Sequence, residues 1–86
     1  MNEQTPRDWC DAAAWRRDAI ARLEIAHGEV GAARALCPKI SLERRALHRL
    51  ALTLSREIES MWSAVRQCEN NARMLSRDLD AAGDDQ

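Results

Sequence analysis

The sequence predicts an all-α protein: an antiparallel two-helix hairpin packed in the manner of a coiled coil. Three observations carry that prediction. The 86 residues include fifteen Ala but no Phe or Tyr, three Gly and two Pro, a composition that favours helix throughout. The segment "LHRLALTLSREIESMWSAVRQCENNARMLSRDL" places Leu47, Ala51, Leu54, Ile58, Met61, Val65, Cys68, Ala72, Leu75 and Leu79 at alternating steps of four and three, the spacing of a coiled-coil seam. Finally, "CPKIS" is the one short break between two long helical stretches, and so short a connection makes the flanking helices antiparallel neighbours.

The first helix is expected over about residues 6–36. Thr5 caps it, Pro6 suits the first helical position, and Asp8 completes a capping box three residues after Thr5. Its inner face runs through Trp9, Ala12, Arg16, Ala19, Leu23, Ala26, Val30, Ala33 and Cys37 before Pro38 ends it. Gly28 and Gly31 each cost about 1 kcal/mol relative to Ala inside a helix. They leave open whether this helix is continuous, kinked or split in two.

Residues 37–41 form the turn, and Ser41 is the expected N-cap of a second helix over about residues 42–82. Gly83 ends that helix, and a disordered acidic tail, residues 83–86, follows. The whole chain, residues 1–86, reads as a single helical domain, since a chain this small supplies only a thin core.

Folding about the turn sets Val30 near Leu47, Leu23 near Leu54, Arg16 near Met61 and Trp9 near Cys68. In that register Ala72, Leu75 and Leu79 outlast the first helix and have no partner within the chain. Ile25, Leu36, Leu52 and Met74 point to the far side. Two helices bury little by themselves, so the expected remedy is a bundle completed by self-association or by a partner's helix. Met61, Trp62, Cys68, Ala72, Leu75, Leu79, Leu52 and Met74 are the candidate partner-binding residues, with Arg66, Arg73 and Arg77 as charged flanks that set register.

The net charge of −1 points to neither nucleic acid nor membrane. Arg34, Lys39, Arg44, Arg45, His48 and Arg49 nevertheless cluster mid-chain, making a basic tip at the turn. Glu43 interrupts that cluster and no helix-turn-helix spacing appears, so a solvated helix end is the plainer reading and nucleic acid is not the expected partner. His27, Cys37 and His48 lie near the turn without any CxxC or HxxxH pair, and no metal is expected. Cys37 and Cys68 read as small apolar residues, and three widely spaced Cys suit free thiols in a reducing cytoplasm.

No enzyme is expected. No Ser or His has an evident base or orienting carboxylate, and a two-helix body is expected to offer no concavity for a small-molecule substrate or cofactor. Arg16 and Arg34, which fall on the apolar face of the first helix, read as snorkelling side chains with solvated heads. Secretory and membrane-spanning segments are absent from the sequence pattern, so a cytoplasmic protein is expected.

The stretch "GAARALCPKISLERRALHRLALTLSREIESMW", Gly31 to Trp62, resembles the small co-chaperones of bacterial type III secretion needles. That resemblance implies a helical hairpin that joins a repeat-type chaperone and helps keep the needle subunit from polymerising. It covers 32 of the 86 residues, and the chain is longer at both ends than that family's usual members. The same architecture fits flagellar export chaperones, and also small inhibitors or anti-activators of a bacterial regulator, phage-encoded ones included. A nucleic-acid-associated regulator using the basic tip is the remaining alternative, and an obligate homodimer is a structural one.

Overall fold

Two helices account for nearly all of the chain. The computed structural model describes the backbone of residues 5–84 and the side chains of residues 5–80. Helix α1 spans Pro6–Leu36 and helix α2 spans Leu42–Asp84. They fold into an antiparallel hairpin measuring 70 × 21 × 14 Å between Cα extremes.

The start signals act as their chemistry predicts. The Thr5 backbone N–H donates to Asp8 Oδ2 at 2.9 Å, and the Asp8 N–H donates back to Thr5 Oγ1 at 3.2 Å, a capping box that satisfies two otherwise orphaned donors. The bond from the Thr5 N–H, with a lesser contribution from the Thr5 side chain, holds the Asp8 carboxyl below its ordinary range. At α2, Ser41 Oγ accepts from the Arg44 N–H at 3.1 Å and donates to the Pro38 carbonyl at 2.9 Å. One side chain therefore caps the helix and ties it to the turn.

Gly28 and Gly31 do not break α1. The helix is continuous across both, and neither has a positive φ. At the other end, α2 runs through Gly83 to Asp84. Residues 83 and 84 are therefore helical, and the rest of the expected tail, residues 85–86, lies outside the described residues.

The core is small and sits toward the free ends. Ala13, Ile20, Val65 and Cys68 form its buried centre, with Trp9, Ala12, Ile58 and Met61 packed against it. Ile20 and Val65, each 1% exposed, are its largest fully buried side chains. On α1 the inner face is rotated from the expected one, toward Ala13, Ile20 and His27. Ala12, Ala19 and Ala26 are half-buried along its edge, whereas Ala33 is exposed.

The register also differs from the expected one. Arg16 Nη1 reaches Cys68 Sγ at 3.9 Å rather than lying beside Met61, a displacement of one heptad. His27 pairs with Ser55, Arg34 with His48, and Arg44 Nη1 donates to the Cys37 carbonyl at 3.1 Å. The last contact explains the shift. Residues 37–41 carry the chain beyond the end of α1, so the first turn of α2 is only then level with Cys37.

This displacement corrects the expected gap at the far end of the seam. Ala72 is buried, and Leu75 is half-buried in a depression it shares with Trp9. Only Leu79, at 62% exposed, extends past the cover of α1.

Candidate functional site

Once Cys68 and Ala72 are committed to the hairpin's own core, they are unavailable to a partner, and Met61 packs against the cluster that contains Cys68. Among the remaining candidates, Leu52, Trp62, Met74 and Leu79 are exposed. They do not form one stripe. By heptad position Trp62 flanks the seam on one edge, Leu52 lies further round on that side, and Met74 lies equally far round on the other.

The edge that carries Trp62 is identified by the ion pair between Arg17 and Glu69. Gly31 lies two heptads beyond Arg17 on α1, and Trp62 lies one heptad before Glu69 on α2, so both belong to this edge. The His27–Ser55 hydrogen bond, 3.1 Å, crosses between the helices there. A Cβ built on Gly28 or Gly31 would meet nothing within 4 Å. Gly28 and Gly31 thus leave open space on the α1 side of this edge, level with Ser55, while Glu24 is the residue level with Trp62. Sequence reasoning treated the two glycines only as weak points; their empty surroundings are visible only once the helices are placed.

The other tryptophans divide. Trp9 packs on the core, whereas Trp15 stands 55% exposed beneath the Arg16 guanidinium, whose carbon lies 4.2 Å from the ring centroid. That guanidinium also donates to the Ala12 carbonyl at 3.1 Å. Arg16 therefore turns its head into the hairpin through Ala12 and Cys68, unlike the solvated head expected of it.

The basic cluster assembles around one basin. Arg34, Lys39, Arg44, Arg45, His48 and Arg49 line a concavity of about 550 Å³ at the turn, a volume within the range of small-molecule sites. A depression is therefore present where none was expected, but it is open to solvent, with Lys39, Arg45, His48 and Arg49 all exposed. Glu43, which interrupts the cluster in sequence, is not part of the lining. At 100° per residue it points roughly 170° away from the mean direction of Arg44, Arg45, His48 and Arg49.

Arg34 Nη1 approaches His48 Nδ1 at 2.7 Å. A guanidinium can only donate, so Nδ1 accepts and the imidazole proton sits on Nε2. His27 and His48 are thus engaged by Ser55 and Arg34, and Cys37 Sγ is directed at the Ala33 carbonyl, 3.5 Å away. The three do not converge, and among the described residues no group of three or more His, Cys, Asp or Glu is placed to hold a metal.

Fold and sites together define a class of protein: an elongated α-helical hairpin with a basic tip and an open apolar edge. No family model, curated protein or solved structure matches this chain. Among the described residues, no helix is long and apolar enough to cross a membrane.

Proposed function

We propose that the hairpin is a non-catalytic protein-binding module, a small chaperone or adaptor, that receives an amphipathic helix of its partner along the Gly28–Gly31/Leu52–Trp62 edge. The observation that carries this reading is the pair of glycines. Each weakens α1 by about 1 kcal/mol, yet neither turn geometry nor close packing within the chain requires it. An incoming helix that approaches the α1 backbone closely would give both glycines a purpose, with Trp62 and Leu52 as its apolar contacts.

The amount of exposed surface supports the same reading. The chain exposes 6891 Å², about 1,800 Å² more than a compact folded monomer of its mass. A standard protein–protein interface buries about 800 Å² on each partner, so the excess is more than enough for one. The needle co-chaperones that Gly31–Trp62 resembles are cytoplasmic hairpins, and a partner helix held along this edge would be kept from its own assembly in the same way.

The test is the exposed pair Leu52→Asp with Trp62→Asp. The wild-type chain is expected to co-purify with a helical partner from its native cells, and the double variant to lose that partner while its helical circular dichroism is unchanged. Sedimentation of the pure chain separates the homodimer from this reading: self-association that depends on Trp62 would mean the second hairpin is a copy. A monomer whose interactions ignore both substitutions would end the proposal.

A further inference from the structure

The basin at the turn has chemistry of its own, independent of any protein partner. Five formally positive side chains, Arg34, Lys39, Arg44, Arg45 and Arg49, surround it, and no carboxylate contributes to its lining. Among the described residues the ion pair recorded is Arg17–Glu69, far from the turn. The tip's charges therefore lack internal neutralisation. The helix ends add no net charge there, because the partial positive N-terminus of α2 is offset by the partial negative C-terminus of α1, so the side chains alone make the tip basic.

Two of the side chains are already oriented. Arg44 is held by the Cys37 carbonyl and Arg34 by His48, so part of the conformational entropy of ordering them is spent in folding. The Arg34–His48 contact also leaves the His48 Nε2–H available as a further donor. Planar guanidinium forks around a shared basin match phosphoryl oxygens bidentately.

We infer that this basin binds a compact polyanion carrying two or more phosphoryl groups. A single carboxylate or orthophosphate would leave most of the five charges unmatched, whereas a di- or triphosphate group can engage several forks at once. An extended nucleic acid fits less well. The positive charge is confined to one end of a 70 Å body whose net charge is −1, and none of Trp9, Trp15 or Trp62 lines the basin to stack a base.

Inorganic tripolyphosphate is the probe. Titrated into ¹⁵N-labelled chain, it is expected to shift the amides of Arg34 and residues 44–49 saturably. Arg45→Glu with Arg49→Glu, both exposed, should weaken binding about tenfold or more, the loss of one or two charge-assisted hydrogen bonds. A control, Arg7→Glu with Arg22→Glu, both exposed and away from the turn, carries the same change in net charge and should alter affinity by less than about twofold. Equal losses in both variants would reduce the effect to general charge attraction and overturn the site. Non-saturating shifts would overturn it too, as would tighter tip-dependent binding of a single-stranded oligonucleotide or a polyglutamate peptide than of tripolyphosphate.

Discussion

The two halves of the hairpin are held by different physics. Toward the free ends, Ala13, Ile20, Val65 and Cys68 are buried against each other. Toward the turn, Ala51 is the buried apolar residue among those described, and the helices meet through His27–Ser55, Arg34–His48 and Arg44–Cys37. The contrast is plain at equivalent heptad positions, where Ile20 is fully buried and His27, one heptad later, is half-buried and hydrogen-bonded. Apolar packing stabilises one half, leaving the polar half free to carry glycines, charge and a basin.

The largest expected effect comes from breaking the apolar half. Ile20→Ala should lower unfolding free energy by about 2–4 kcal/mol, because it removes buried methylenes and leaves a cavity. His27→Ala, at the matching position, should cost about 1 kcal/mol, the net value of an ordinary hydrogen bond. Urea denaturation measures both. Equal costs would mean that the two halves are not distinct.

Next in size is a change that strengthens the turn half. Gly28→Ala with Gly31→Ala should raise stability by about 1 kcal/mol per site, since α-helical φ suits Ala and both positions have open space. The thermal midpoint should rise by about 4–8 °C per kcal/mol for a domain of this size. The same double variant should bind the partner helix more weakly. A gain in stability with undiminished partner binding would remove the glycines from the docking edge.

The smallest effect sharpens the comparison at the free end. The Asp8 carboxyl has its folded-state pKa depressed below the ordinary value of 3.8 by the Thr5 cap. Its contribution is therefore fully present above the unfolded value and is lost as pH falls through the lower folded value. Amide protection near Trp9, measured relative to the intrinsic exchange rate at each pH, should fall with acidification below about pH 4, more than at residues near Ser41, whose cap has no carboxyl. Asp8→Asn should remove that pH dependence; if it persists unchanged, the capping box is not its source.

Much of this architecture could be read from residues alone. The four-three spacing from Leu47 to Leu75 marked the buried face of α2, Thr5-Pro6-Asp8 and Ser41 marked the helix starts, and the basic side chains of the tip were recognised as a group. On α1 the inner edge was harder to read, because Ala12 beside Ala13 and Ala19 beside Ile20 offer two apolar phases. The basin and the open edge were not legible at all, since each combines residues from both helices.

Sequence alone determined where the two helical stretches begin and which face of the longer one is buried, because local caps and hydrophobic period are properties of a single segment; that α1 is unbroken across Gly28 and Gly31 it left open. Only the tertiary structure decided the register. A seam that repeats every seven residues meets its partner with the same pattern of faces after a slip of one heptad, so Arg16 beside Met61 and Arg16 beside Cys68 look alike in sequence. The path of residues 37–41 past the end of α1 chose between them, and that choice covered Leu75.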